Sequence, residues 1–213
     1  MKLVVVTISN RNPDPEATES IARLRAPVLP LRGCSDLVLA RNAVLTRLCL
    51  LQAVTKWDCA ILVDDDMVFT PEDVQRLAEH AMQRCHPVSA CYVLADGALA
   101  AAPYQGRWVT GLGLMAVPMS RLMEIYEQSP RFHAGRTGAD LALFTQAGVI
   151  DGQWRPEDYQ FCMRFGGVDL LPVRAGHVKI KTLYPSVDGL EEFLASVQAQ
   201  DKSPVTAAET PPG

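Results

Sequence analysis

Three consecutive carboxylates, Asp64, Asp65 and Asp66, stand directly after the apolar run Cys59-Ala60-Ile61-Leu62-Val63. Adjacent carboxylates repel one another, and gathering them costs energy unless a cation neutralises the group. Hard oxygen donors next to a phosphate suit Mg2+ or Mn2+. The alternative is an acidic loop capping the helix that opens at Pro71. A second acidic pair, Glu157-Asp158, follows Pro156. Carboxylates there either complement the positive end of a helix or accept a proton in a reaction. Arg41 offers the planar fork that matches phosphate, or else a salt bridge at a helix start.

Residues 2–8 form a β-branched run suited to a strand covered on both faces, and residues 59–63 repeat that signal just before the acids. Ligands gather at the carboxyl ends of strands in open α/β sheets, so the triplet stands where a site is expected. Asp36 is a helix cap before an amphipathic stretch over 37–56. Further helices are expected over 16–25, 71–84, 119–128 and 156–165, and strands over 28–31, 88–94, 107–109, 112–117, 169–173 and 178–183. Residues 96–102 read as a Gly/Ala-rich loop. Residues 129–152 carry Gly135, Gly138 and Gly148 with weak periodicity and read as irregular. Strands alternating with helices predict an α/β/α sandwich with a mainly parallel central sheet. Residues 1–198 are read as one compact domain, and 199–213, rich in Pro, Thr and Ala, as a disordered tail.

The chain has 213 residues, enough for a sizeable core. Its net charge of −4 and pI near 5.6 speak against the basic stripe of a polynucleotide binder. The first residues lack the long apolar run of a secretory signal or membrane span. Six cysteines show no CxxC pair or scaffold spacing, so they are read as reduced and the protein as cytoplasmic.

The segment Ile61-Leu62-Val63-Asp64-Asp65-Asp66-Met67-Val68-Phe69 resembles the strand-DxD segment of GT-A glycosyltransferases, especially the family 2-like group. Pro71-Glu72-Asp73-Val74 resembles the helix start that follows in those enzymes, and Ala40-Arg41-Asn42 the helix start that precedes it. Gly111-Leu112-Gly113-Leu114-Met115 is similar to their glycine-rich strand, Trp154-Arg155-Pro156-Glu157-Asp158 to their "ED" helix, and His177 to a late metal-binding histidine. The likeness runs in order over residues 3–184, and the order is more specific than any one motif.

This resemblance implies a nucleotide-diphospho-sugar transferase fold and transfer of a sugar from a UDP- or GDP-linked donor to an acceptor hydroxyl. It implies Mn2+ or Mg2+ on Asp64, Asp66 and His177. Donor contacts would come from Ser9, Arg11, Arg41, Asn42, Asp64, Asp65, Gly111 and Gly113. Asp158 would be the base of an inverting transfer, with Glu157 binding acceptor or orienting it. Trp154 would stack on an acceptor sugar, unless it is simply core. Gly111 and Gly113 would allow close backbone approach to ligand, unless they mark a bulge. The acceptor class (glycan, lipid, protein or modified nucleobase) stays open, with residues 129–152 expected to face it. Two other readings compete. One is a HAD-like phosphohydrolase with Asp64 as nucleophile, and the other a sugar-nucleotide-binding module without catalysis.

Overall fold

Alternation of Val4 and Val6 against Val5 along the first strand divides the core into two layers, one on each side of a sheet. The structure, a computed structural model, describes residues 1–9, 12–92, 99–135, 138–150, 152–173 and 175–178. The elements begin with β1 (Leu3–Ser9), α1 (Pro15–Arg23), β2 (Val28–Arg32) and α2 (Leu37–Thr55). The acidic run lies between β3 (Cys59–Asp64) and β4 (Met67–Phe69), and α3 (Pro71–Arg84) and β5 (Val88–Ala90) follow. Next come β6 (Ala101–Tyr104), β7 (Arg107–Thr110), β8 (Leu114–Pro118) and α4 (Met119–Gln128). Then β9 (Arg131–Ala134) pairs with β10 (Ala139–Ala142), and β11 (Gly148–Ile150) with β12 (Gln153–Arg155). The described chain closes with α5 (Glu157–Met163), β13 (Asp169–Leu171) and β14 (Ala175–His177).

The central sheet has the order β13-β5-β8-β3-β1-β2. All its strands run parallel except β8, which is antiparallel to both neighbours. One core layer sets Val4, Val6, Leu62 and Met115 against α2, α4 and α5; the other sets Val5, Ile61 and Leu114 against α3 and Ile21 of α1. The α/β sandwich with a mainly parallel sheet is therefore the observed fold.

Local chemistry explains the long helices. Asp36 accepts from Leu39 N–H at 2.9 Å and starts α2, which ends at Lys56 in the left-handed conformation. Thr70 accepts from Asp73 N–H at 3.2 Å, and Pro71 opens α3 where its missing N–H costs nothing. By length and composition α2 (19 residues, mean hydropathy 1.5) is the one helix among the described residues that could cross a membrane. Here it packs on the sheet with Val44, Leu45 and Leu48 in the core and with Arg41 and Asn42 buried.

Several expectations need correction. Residues 129–152 contain β9, β10 and β11 rather than irregular chain, because their strands are too short for alternation to stand out. Ala101 and Ala102, expected in a loop, begin β6 and pair with β7. Gly111 and Gly113 precede β8 rather than lying within it. The strand expected over 88–94 is observed to Ala90, with 93 and 94 outside the described residues. The strand expected over 178–183 and the tail over 199–213 lie mostly or wholly outside them, and the last described strand is β14.

Candidate functional site

Side chains that could do chemistry converge on one edge of the sheet, at the carboxyl ends of β1 and β3. Because β8 is antiparallel, its start lies at that same edge, where Asp64 N–H donates to Gly113 C=O at 3.0 Å. The three acids splay apart. Asp64 faces Arg41, with 3.4 Å between Oδ1 and the guanidinium. Asp65 accepts from the Ser9 hydroxyl at the end of β1, and its carbonyl accepts from Asp14 N–H at 3.0 Å. Asp66 meets His177, with 2.9 Å between Oδ1 and Nδ1.

The Asp66–His177 meeting depends on a two-stranded ribbon. β4 and β14 pair antiparallel with His177 opposite Met67, and Val178 N–H donates to Asp66 C=O at 2.8 Å. The pair joins a carboxylate oxygen to an imidazole nitrogen. Among the described residues no third His, Cys, Asp or Glu completes a metal cluster with them. Asp64 itself faces Arg41. Mg2+ and Mn2+ sites commonly use one or two carboxylates and leave the other positions to substrate phosphate and water, so the pair fits such an ion.

Arg41, on the second turn of α2, links the first acid to the second acidic pair. Its Nε lies 3.2 Å from Glu157 Oε1, and its side chain is 8% exposed. Burial alone would lower its pKa, but Asp64, Glu157 and Asp158 more than offset that and hold the guanidinium charged. Asp158, in the first turn of α5, is pushed up to about 6 by burial and then by the Glu157 charge. A hydrogen bond from Tyr159 N–H at 2.8 Å and the Arg41 charge pull the other way. A carboxylate with that pKa is a competent base near neutral pH. A shallow apolar recess lies beside Arg41, lined by Val6, Ile8, Val44, Leu62 and Leu112.

Two expectations change. Asn42, expected at a donor, is fully buried and spent on the backbone. Its amide donates to Thr145 C=O at 2.8 Å and accepts from Phe144 and Thr145 N–H at 2.7 and 3.0 Å. The Thr145 hydroxyl in turn donates to Glu157 C=O, so Asn42 braces the start of α5 from inside. Gly111 and Gly113 make room for a side chain, Tyr92, that sequence reasoning missed. A Cβ on Gly111 would stand 2.3 Å from the Tyr92 hydroxyl, and one on Gly113 2.9 Å from it. Neither glycine has positive φ, so space and not backbone conformation requires them. A Gly-x-Gly pair following a buried tyrosine two residues beyond β5 was the available signal.

That packing makes a sharp prediction. Gly111→Ala overpacks the phenol and is expected to destabilise the fold by about 1–3 kcal/mol. Tyr92→Phe in the same chain removes the clashing oxygen and leaves the ring carbon at 3.5 Å, so it should restore much of the loss. Urea melts of both single variants and the double variant check it. Additive losses would mean that the two residues do not meet.

Trp154, on β12, is 68% exposed, and its cross-strand partner Val149 is 69% exposed, so Trp154 is not core. Arg11 lies outside the described residues. The six cysteines are free thiols. His80, His86 and His133 stand apart from the site; His86 bonds Gly167 C=O at 2.9 Å.

No family model matches this chain, and no curated protein does. Among solved structures it is similar to A197 from STIV, with 16% identity and a TM-score of 0.59 over 83% of this chain and 85% of that one. It is also similar to a CMP:2-keto-3-deoxy-manno-octonic acid synthetase complexed with CTP, with 12% identity and a TM-score of 0.49 over 94% and 100%. A 4-diphosphocytidyl-2C-methyl-D-erythritol synthase from Anaerococcus prevotii DSM 20548 gives 10% identity and a TM-score of 0.46 over 92% and 99%. At 16% identity the likeness to A197 bears on the fold alone, and nothing is argued from the other two.

Proposed function

We propose that this protein is a GT-A-type glycosyltransferase that moves a sugar from a UDP- or GDP-linked donor to an acceptor hydroxyl with inversion. The observation that carries the reading is the convergence of Asp66–His177, Arg41 and the raised-pKa Asp158 on one sheet edge. Asp66 and His177 would hold Mn2+ or Mg2+, and the bound ion would supply Lewis-acid stabilisation of the leaving diphosphate. Asp64 and Arg41 would orient the donor, with Ser9 holding Asp65 in place. Asp158 accepts the acceptor's hydroxyl proton. As it does so, that oxygen forms a bond to the anomeric carbon, and the diphosphate leaves with the electron pair of the broken C–O bond. Exposed Trp154 and Val149, just before α5, offer an apolar face to an acceptor ring.

A thermal-shift panel of UDP- and GDP-sugars with and without Mn2+ tests the reading. A cognate donor at 100 times its Kd should stabilise the folded state by about 2.7 kcal/mol. The shift should need Mn2+ and vanish in Asp66→Ala. Undiminished donor binding and transfer in excess chelator would overturn the metal assignment. Phosphate release from small phosphoesters, with no nucleotide-sugar turnover, would favour a phosphohydrolase using Asp64.

A further inference from the structure

We propose that Tyr92 is a specificity-determining residue whose phenolic O–H donates a hydrogen bond to an oxygen of the sugar seated between Asp64 and Asp158. This inference rests on the glycosyltransferase reading and names the residue at that site which senses the transferred group.

Tyr92 is 4% exposed, yet its hydroxyl reaches the site edge. The phenol oxygen accepts from Gly113 N–H at 3.2 Å, which fixes the ring tip beside the start of β8. The ring is braced edge-on against His177, with centroids 5.3 Å apart. Accepting that bond uses a lone pair and leaves the O–H proton to be donated. Among the described residues no side chain or carbonyl receives that proton. A buried hydroxyl without an acceptor is costly, so a donor held in this way fits a ligand or a bound water better than an empty space.

Its direction is set by its neighbours. A point at the Cβ position of Gly111 would lie 2.3 Å from the phenol oxygen and 3.4 Å from Asp158 Oδ2, so hydroxyl and carboxylate approach the same small volume. Glycine at 111 is what lets the phenol stand there, a few ångströms from the carboxylate. Asp64 is joined to the same edge through its bond to Gly113 C=O. A protonated phenol beside carboxylates adds a neutral donor where the other groups accept, and sugar hydroxyl oxygens need both kinds of partner. On the glycosyltransferase reading Arg41 and the metal pair would serve the phosphates, which leaves this donor to the sugar.

The test compares wild type and Tyr92→Phe by calorimetry with Mn2+, using UDP and GDP alone and the UDP- or GDP-hexose that stabilises the wild type. Loss of one hydrogen bond is expected to weaken the nucleotide sugar by about tenfold and leave the free nucleotide unchanged. A series of deoxy analogues should contain one position whose removal weakens binding to wild type but not to Tyr92→Phe. Equal loss for nucleotide and nucleotide sugar would overturn the proposal, as would no loss for either. If no hexose nucleotide binds the wild type, the glycosyltransferase reading fails and this one falls with it. Tyr92→Phe also leaves Gly113 N–H without its acceptor, so its Tm should fall; a merely structural role predicts equal losses for nucleotide and nucleotide sugar, and a deoxy position that matters only to wild type excludes it.

Discussion

If this protein transfers a sugar as proposed, replacing Asp158 with Asn is expected to reduce that transfer by about 100- to 10,000-fold, the span typical of removing a positioned general base. The substitution keeps the shape of the side chain and its capacity to accept from Tyr159 N–H, so donor binding should persist. For the wild type, transfer should rise with pH through an inflection near 6 and then level off, because only the ionised carboxylate can take the proton. That arm should disappear from the residual activity of Asp158→Asn. Stability should move in the opposite direction from activity. Burial lifts Asp158 from 3.8 to about 6, so between those values the folded chain binds more protons at this site than the unfolded chain. Stability from this group therefore falls as pH rises through that window and stays lower above it. Asn carries no charge to bury. Asp158→Asn should melt higher than wild type at pH 7.5, with the gap closing toward pH 4. A variant that loses transfer and also melts lower at neutral pH would make Asp158 a structural group. Unchanged transfer would assign the proton to another acceptor.

The place of Asp158 in the first turn of a helix was legible in the sequence, and the place of Tyr92 beside the glycines was not, for a physical reason. Paired acids after Pro156 sit in the first turn of a helix whatever else they do, and such local chemistry is visible in a few residues. The same holds for Asp36 before α2, for Thr70-Pro71 before α3, and for the β-branched runs that became β1 and β3. Asp66 and His177 are 111 residues apart, and only the β4–β14 ribbon brings them together. Each of those strands has three residues, too few for alternation to declare itself. The hairpins between residues 131 and 155 escaped for the same reason. Asn42 illustrates a different limit. Its residue type suits a ligand contact, but its real partners are backbone groups near residue 145, and sequence does not record where a backbone carbonyl will lie. The glycines at 111 and 113 read as room for a ligand or as a bulge, whereas what crowds them is the Tyr92 side chain, which their own residue type does not name.

Removing Arg41 should be strongly damaging to the folded state. Its side chain is 8% exposed and holds two carboxylates that are themselves largely covered, Glu157 at 14% and Asp64 at 28%. Arg41→Ala would leave those acids, with Asp158 beside them, sharing one corner without a cation. Breaking a buried ion pair from one side typically costs about 3–5 kcal/mol, far more than an exposed pair would. A drop in the urea midpoint of that size, with an unchanged slope, is the expected result. Arg41→Lys should recover part of it, since an ammonium restores charge but cannot serve Asp64 and Glu157 together through a rigid fork. A loss below about 1 kcal/mol would place Arg41 among ordinary surface pairs. The two largest predictions are also linked. The Arg41 charge lowers the Asp158 pKa, so its removal should carry the pH–activity inflection above 6 in whatever fraction of Arg41→Lys or Arg41→Ala remains folded, with the larger displacement in Ala. A displaced inflection in the folded enzyme would separate an electrostatic role at the reaction centre from a purely structural one, because weakened packing alone lowers the amount of active protein without moving the pH at which it works.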